Sequence, residues 1–311
     1  VIKNGLPKRM LPLAYFFALA GMIGCLPAFQ SNQLIQITGD FAFSEIENFN
    51  IYGGLALAGI TGIVVIGGLK RIAEVATFLV PLMGSIYFGA MLIALILNLD
   101  LVLPAFKLIL VDAFNGTAVA GGTFFGVLIY GVRRGAFSNE AGMGTESLVH
   151  GVAKVSNPVK QGLVAMTGPI FDTLIICTAT ALMILVSGVW ETSSSQGVTL
   201  TAEAFSILLG NFGGLILFTC VICFGLSTIF TYSYYGASCS RFLFGNFGMK
   251  FYIYLYIFSI FIYSIVPIDI AINIADGAFA LMAIPTLISA LWLAPKVMQA
   301  SKNYFKLVDN I

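Results

Sequence analysis

Charged residues are scarce in this chain. Of its 311 residues, 15 are Lys or Arg and 14 are Asp or Glu, which is 9% of the sequence. A soluble domain carries a charge at roughly one residue in four. Because 59% of the residues are apolar, and several apolar runs reach the length of about 20 residues that crosses a hydrocarbon layer, the sequence excludes a soluble core. It indicates a polytopic membrane protein.

Other shortages exclude further classes. The net charge is only +1, so no basic surface is available to release counterions from a nucleic-acid backbone, and we expect no nucleic-acid partner. The single histidine is His150, and the sequence shows no His-Glu-x-x-His motif and no pairing typical of a protease, so we expect no enzyme. The five cysteines all lie in apolar segments, which argues against a disulfide framework.

Glycine and aromatic residues, by contrast, are plentiful. The 33 glycines and the 13% of aromatic residues fit closely packed helices that are anchored at the membrane interfaces, so the predicted fold class is all-α. Apolar runs and turn signals predict eight membrane segments. They lie at 10–29, 51–69, 72–97, 117–150, 162–189, 213–238, 251–267 and 270–293.

The distribution of Lys and Arg predicts the orientation of these segments. If the chain starts in the cytoplasm, nearly all basic residues of the connections fall on the cytoplasmic side, and Lys107 is the exception. The opposite connections collect acidic residues such as Asp40 and Glu203. We therefore expect both termini of this chain to be cytoplasmic. Since the sequence begins at Val1 and runs directly into Lys3, we also expect a piece of a longer polypeptide whose remainder lies upstream.

The fourth segment has a polar centre. Its apolar part, 117–132, stops at a Gly-Val-Arg-Arg-Gly run over 131–135. An Arg at the centre of a lipid-facing helix costs about 2.5–3.5 kcal/mol, and each Gly weakens a helix by up to about 1 kcal/mol. The pattern predicts a helix that is broken around Val132 and presents bare peptide dipoles to a substrate and a cation. The alternative is a short span that ends at Arg133, followed by a cytoplasmic loop.

Three acidic residues lie inside apolar stretches, where a charge must be paired, neutralised or hydrated. Glu140 closely follows Arg133 and Arg134, so it either forms an ion pair that holds the break together or takes part in coupling. Asp172 in the fifth segment and Asp276 in the last segment are also explained by hydrogen bonds to neighbouring helices.

The sixth segment carries a run of hydroxyl groups over 227–236. Thr228 and Tyr232 are four residues apart and share one helical face, and Ser227 lies on an adjoining stripe. Such a face suits a small zwitterion and a hard cation such as Na⁺, because hard cations prefer oxygen ligands. The alternative is that the hydroxyl groups only join helices, at about 0.6 kcal/mol per hydrogen bond. The residues alone leave both explanations open.

The run Gly-Val-Arg-Arg-Gly-Ala-Phe-Ser-Asn-Glu-Ala-Gly-Met-Gly at 131–144 resembles the signature of the sodium:alanine (and glycine) symporter family, the amino acid carrier proteins. Similar stretches follow in the family's order at 157–163, 171–178, 227–229, 234–236 and 282–285. The resemblance implies a leucine-transporter-like inverted-repeat fold that lacks its first two helices. In it, 1–110 would be helices three to five of the first repeat, and 111–311 would be the complete second repeat of five helices.

The resemblance also implies a function. This is sodium-coupled symport of a small neutral amino acid (alanine, glycine or serine) by alternating access in the plasma membrane. A proton-coupled carrier or a channel of the same architecture is the alternative. The implied partners are the amino acid, Na⁺ as the coupling ion with no other cofactor, and the lipid bilayer. Because the family's first helix supplies half of the ligands, we expect this piece of chain neither to bind the amino acid nor to transport it by itself.

The resemblance assigns roles to particular residues. Gly131, Val132, Thr228 and Tyr232 would contact the amino acid, and Ser227 and Thr228 would bind Na⁺. Tyr232 stands where the family usually has Trp, which leaves the choice among small substrates open. The remaining assignments are structural or coupling roles for Arg133, Arg134, Asn139, Glu140 and Asp172, and cavity or gating roles for Gln30 and Asn32.

Overall fold

A computed structural model describes residues 1–114 and 123–308, and these residues form helices and short connections without a strand. The predicted all-α class is confirmed for them. The main helices are α1 (Leu11–Gly24), α2 (Ala28–Ala42), α3 (Phe49–Val65), α4 (Gly68–Leu97), α5 (Leu99–Ala113), α6 (Thr123–Asn139), α7 (Thr145–His150), α8 (Pro158–Pro169), α9 (Thr178–Ser187), α10 (Val198–Leu209), α11 (Asn211–Ile265) and α12 (Ile268–Val308). Short helical turns also occur at Ile2–Gly5, Lys8–Met10 and Val189–Thr192, and a π-helix, Ile170–Cys177, joins α8 to α9.

Helix α11 is the centre of the packing. It contacts α1, α2, α3, α4 and α10, while α12 packs against α1 and α2. Gly245 divides α11 into two parts, because its backbone angles (φ 68°, ψ −157°) are not helical. The largest buried cluster includes Ile229, Tyr252 and Tyr256 of α11, together with Leu34 of α2. The Tyr256 hydroxyl donates to the Ile229 carbonyl at 2.6 Å, which ties the two parts of α11 together.

Several helices are long and apolar enough to cross a membrane. Within the described residues, five stretches meet this requirement, and they are Lys8–Ala42, Gly68–Leu97, Pro158–Ser187, Phe212–Ile265 and Ile268–Leu307. Phe49–Val65 and Val198–Leu209 are apolar but shorter. Many large apolar side chains on these helices are exposed, as expected for helices that face lipid. The chain is therefore a multi-pass membrane protein.

The helix bounds differ from the predicted segments in several places. The first segment continues beyond 29 as α2, after an interruption at Cys25–Pro27. The last segment extends as α12 to Val308, far beyond 293. Helices α5 and α10 were not predicted, because their lengths of 15 and 12 residues are below that of a membrane span. Of the predicted fourth segment, the part over 117–122 lies outside the described residues.

The predicted break around Val132 is wrong. Helix α6 continues without interruption through 131–135 as far as Asn139, and the chain leaves the helical conformation afterwards, over 140–144. Glu140, Gly142 and Gly144 all have positive φ angles, of 55°, 84° and 90°. The alternative of a span that ends at Arg133 is also wrong. The helix tolerates Arg134 because the guanidinium group pairs with a carboxylate on α12 and therefore needs no break.

Candidate functional site

A cavity of about 430 Å³ lies among α2, the end of α6, the π-helix, the start of α10 and α11. It contains several of the residues that the sequence singled out. Apolar lining is supplied by Phe29, Leu34, Phe137, Val221 and Phe224, among others. The polar side chains that line it are Gln30, Gln33, Ser138, Glu140, Asp172, Thr201, Thr228 and Tyr232.

Glu140 and Tyr232 are hydrogen-bonded in this cavity. The Tyr232 hydroxyl of α11 donates to the Glu140 carboxylate, which lies where the chain leaves α6. Tyr232 is only 4% exposed, and its ring packs in the main buried cluster. Of the two roles considered for Glu140, the ion pair with Arg133 or Arg134 is not formed among the described residues, and the role in coupling stays a prediction. The break after α6 and the hydroxyl-rich face of α11 instead meet directly at this bond.

Asp172 lies across the cavity on the π-helix. The Ser138 hydroxyl of α6 donates to its carboxylate, and the Thr173 hydroxyl lies 3.2 Å from the same oxygen. Asn139 lies next to this group, and its side-chain amide donates to the Thr173 hydroxyl at 2.9 Å. These bonds hold the last turn of α6 against the π-helix. A π-helix widens the spacing of side chains along a helix and is frequent at functional sites.

The polar residues of α2 separate into two groups. Gln30 lines the cavity, as expected. Asn32 does not, because its amide donates to the carbonyl of Val266 at 2.6 Å and so caps the end of α11. Asn32 lines a different cavity, of about 310 Å³, with Gln36 and Asp40. Asn32 therefore lines a cavity other than the one that contains Gln30, and its functional role stays a prediction.

The two residues expected to bind Na⁺ are placed differently. Thr228 lines the cavity one helical turn from Tyr232, which confirms that they share a face. Ser227 is buried at 5% exposure, and its hydroxyl donates to the carbonyl of Phe224 at 3.0 Å within the same helix. Ser227 therefore lies behind the cavity wall.

The residues at the wrongly predicted break do not reach the cavity. Val132 is 64% exposed, and Gly131 has no side-chain or distant backbone atom within 4 Å of the position that a Cβ would take. Arg133 is also exposed. Arg134 turns to the other side of α6 and forms an ion pair with Asp276 of α12. Helix α6 thus ends at Asn139 and not near Val132. The residues at this observed end that line the cavity are Ser138 and Glu140.

Sequence reasoning missed Gln33. It lies three residues after Gln30, and it is buried at 6% exposure. Its amide oxygen accepts from the backbone N–H of Val198 at 3.3 Å, at the start of α10. The polar run Gln30-Ser31-Asn32-Gln33 interrupts an apolar stretch, and residues 30 and 33 are spaced to share a helical face. This spacing could have indicated that Gln33 lies beside Gln30. Ser138 and Thr201 of the lining have no comparable signal.

The cavity is acidic. It is lined by the carboxylates of Glu140 and Asp172, and its described lining includes no Lys, Arg or His. Hydroxyl and amide oxygens complete a lining that presents many acceptors. Such a lining favours a hard cation and an ammonium group over an isolated anion, because a carboxylate without a cationic partner is costly away from water.

Comparisons with known proteins identify the family of this chain. The model of the sodium:alanine symporter family matches residues 1–310. The chain is 35% identical to the Uncharacterized transporter YflA of Bacillus subtilis over 96% of this chain and 64% of the relative. It is 33% identical to the Sodium/alanine symporter AgcS of Methanococcus maripaludis over 99% of this chain and 69% of the relative.

A further relative is the Probable sodium/glutamine symporter GlnT of Bacillus subtilis, which is 33% identical over 97% of this chain and 63% of the relative. The chain thus spans about two thirds of the length of the curated relatives that it matches. The matched family is one of transporters, in line with the membrane-spanning helices. The chain belongs to the sodium:alanine symporter family.

Proposed function

We propose that the protein that contains this chain performs sodium-coupled symport of a small neutral amino acid by alternating access. The observation that carries this proposal is the cavity that joins Gln30, Thr228 and Tyr232 to Glu140 in a chain of this family. The sequence singles out all four of these residues. The cavity also lies against α11, the helix that contacts most of the others.

The charges of the cavity support a role for Na⁺. The amino group of a zwitterionic substrate finds acceptors in the acidic lining, but its carboxylate finds no cationic side chain among the described lining residues. A bound Na⁺ supplies this missing positive charge. Thr228 offers an oxygen ligand from the cavity wall, and Ser227 lies directly behind it. Na⁺ and substrate then each favour binding of the other, which is the linkage that symport requires.

The proposed fold follows the family. In this proposal, 1–110 forms helices three to five of the first inverted repeat and 111–311 forms the second repeat. The chain crosses the plasma membrane eight times, with both termini in the cytoplasm. The stretch Phe212–Ile265, divided at Gly245, is long enough for two of these crossings. Na⁺ is the coupling ion in this proposal, and no other cofactor takes part.

Alanine, glycine and serine are the proposed substrates. The relatives' names include both alanine and glutamine, so family membership alone does not decide among substrates. A proton-coupled carrier is the second candidate, and the placement of Glu140 in the cavity favours it over a channel. A proton carrier needs a carboxyl group that is accessible from the transport pathway, and Glu140 meets this condition.

The test is uptake of labelled alanine into proteoliposomes that contain the whole protein of which this chain is part. We expect an inward Na⁺ gradient to drive accumulation, and unlabelled serine or glycine inside to exchange with the label. Uptake that is indifferent to the Na⁺ gradient would refute sodium coupling. A Glu140→Gln variant that retains Na⁺-driven uptake would exclude Glu140 as a proton carrier, whereas uptake driven by a pH gradient alone would support the second candidate.

A further inference from the structure

The ion pair of Arg134 and Asp276 connects α6 to α12. The two side chains are partly shielded, with 31% and 22% of their surfaces exposed. Charged groups within membrane-spanning helices are costly and are retained where they serve structure or function. Within the described residues, the other ion pair, Lys70 with Glu74, is highly exposed and lies within a single helix. The pair of Arg134 and Asp276 is therefore the one that links two helices in the described part of the chain.

Aromatic contacts repeat the same connection one turn further along both helices. Phe137 follows Arg134 by three residues on α6, and Phe279 follows Asp276 by three residues on α12, so each pair shares a helical face. The rings of Phe137 and Phe279 have centroids 5.5 Å apart. The Arg134 guanidinium lies 5.4 Å from the centroid of the Phe137 ring. The ion pair and the two rings thus fix one register of α6 against α12.

Phe137 also forms part of the cavity wall. Its ring meets that of Phe29 edge to face, with centroids 5.2 Å apart, and Phe29 precedes Gln30 in the lining. The next residue, Ser138, donates to Asp172 on the opposite wall. A shift of α6 along α12 would therefore move both Phe137 and Ser138 within the cavity. The ion pair itself does not line it.

We propose that the ion pair of Arg134 and Asp276 positions the Phe137 wall of the cavity and thereby sets the affinity for the transported amino acid. Both are positioning residues that act through Phe137 and Ser138. This inference rests on the proposed function for its transport measurement, but its structural part is independent of the substrate. It predicts that reversing the two charges restores the pairing of α6 with α12 in part, since the ion pair is kept while the contact of the Arg134 guanidinium with the Phe137 ring is lost.

The test is a charge-swap cycle. Arg134→Gln and Asp276→Asn each remove one partner, and Arg134→Asp combined with Asp276→Arg reverses the pair. We expect the KM for labelled alanine to rise roughly tenfold or more in each single variant, within the range typical of coupled sites, and to return towards the wild-type value in the swap. Arg241→Gln is the control, because Arg241 is exposed and forms no ion pair within the described residues. A merely structural role would lower the amount of active protein and leave KM unchanged.

A second measurement does not require transport. The Cys177 thiol lies 3.2 Å from the Ser138 hydroxyl and is half-buried, whereas Cys25 is fully buried in the main cluster. We expect a maleimide to label Cys177 faster in the single variants, and at a rate closer to that of the wild type in the swap, with the labelled peptide identified by mass spectrometry. Labelling of Cys25 should stay slow, which shows that the variants remain folded.

The outcomes separate the two proposals. If wild-type protein transports no alanine, the proposed function fails, and Cys177 labelling alone decides the role of the ion pair. Wild-type KM and labelling in Arg134→Gln would overturn the inference. A swap variant that behaves no better than the single variants, with Cys25 still protected, would also overturn it.

Discussion

At the scale of the residue, the bond between Tyr232 and Glu140 decides how the cavity presents its carboxylate. Tyr232 is nearly fully buried in α11, so its hydroxyl has a fixed position from which it orients Glu140. Glu140 in turn occupies a positive φ angle of 55°, which few residues other than Gly adopt. Glu140 is therefore constrained twice, in its side chain by the bond to Tyr232 and in its backbone by the positive φ angle.

Tyr232→Phe tests this bond. It removes the donor to the carboxylate and keeps the ring in the core, and an unsatisfied buried acceptor costs about 1–3 kcal/mol. We expect the KM for alanine uptake to rise roughly 5- to 150-fold, which is the same range expressed as affinity. Tyr235→Phe is the matched control, since its ring lies 5.7 Å from that of Tyr232 but its hydroxyl makes no hydrogen bond within the described residues. Equal kinetics for the two variants would contradict the role of the bond.

The sequence correctly predicts which residues lie close together when they belong to the same helix. Thr228 and Tyr232 were paired correctly because residues four apart on a helix share a face. The bond of Glu140 to Tyr232 was not predicted, because the two residues are 92 positions apart and the bond depends on how the end of α6 packs against α11. Proximity in sequence favoured Arg134, but that side chain leaves α6 in the direction of α12.

At the scale of the element, the position of the interruption after α6 is the main correction. The φ angle of Gly144 is 90°, and a Cβ there would lie 2.6 Å from the Thr286 hydroxyl oxygen and 2.7 Å from the Phe17 ring. Gly131, in contrast, lies within a regular helix with open space around it. Gly144 lies in the observed interruption and Gly131 at the predicted one, so substitutions at these two glycines test where the helix is interrupted.

Gly144→Ala should lower the free energy of unfolding by at least about 1–2 kcal/mol, the cost of a left-handed conformation with a side chain. Gly131→Ala should be neutral, or should stabilise the protein by up to about 1 kcal/mol, because Ala is the better helix former. Thermal unfolding in detergent measures both changes. Destabilisation by Gly131→Ala without an effect of Gly144→Ala would place the interruption at 131–132 after all.

The start of α10 is a second element whose position depends on distant contacts. Gly197 precedes α10 with a φ angle of 62°, and a Cβ there would lie 2.7 Å from the amide oxygen of Gln33. Gly210 follows α10 with a similar φ angle of 70°, but nothing lies within 4 Å of its Cβ position. Gly197 and Gln33 both line the cavity. The two glycines thus share the same backbone strain and differ in their contact with the cavity wall.

We expect Gly197→Ala to raise the KM for alanine, because the added methyl group displaces Gln33 from its bond with Val198. Gly210→Ala should produce a similar loss of thermal stability, of about 1–3 kcal/mol, with an unchanged KM. Uptake kinetics measured beside thermal unfolding separate the two effects. If both variants show the same KM, the contact of Gln33 with the start of α10 has no part in substrate binding.

Hydropathy predicts the long helices but not the shorter helices that connect them. Apolar runs predict a helix wherever about 20 residues can cross the bilayer, which suffices for α4 and for most of α11 and α12. Helices α5 and α10 are shorter than this, and the π-helix within the fifth segment arises from local backbone hydrogen bonding that hydropathy does not describe. Helix α10 and the π-helix supply part of the cavity lining, so hydropathy alone does not predict the full lining.

At the scale of the whole molecule, the proposed eight crossings require both termini to lie on one side of the membrane. Asp100→Cys and Lys302→Cys test this, since both positions are exposed. We expect a membrane-impermeant thiol reagent to label Asp100→Cys in intact cells, and Lys302→Cys only after permeabilisation, because basic residues remain in the cytoplasm. Labelling of both positions in intact cells would require an even number of crossings between them, instead of the five that this topology proposes.

The proposed function depends on the coupling of two binding events, those of Na⁺ and of the amino acid, in the cavity at Thr228. Equilibrium binding of labelled alanine to the purified protein that contains this chain, with and without Na⁺, measures it most directly. We predict that Na⁺ raises the affinity at least about fivefold, the lower end of typical coupling, and that Thr228→Val abolishes this increase. An alanine affinity that is the same with and without Na⁺ in the wild-type protein would contradict the account.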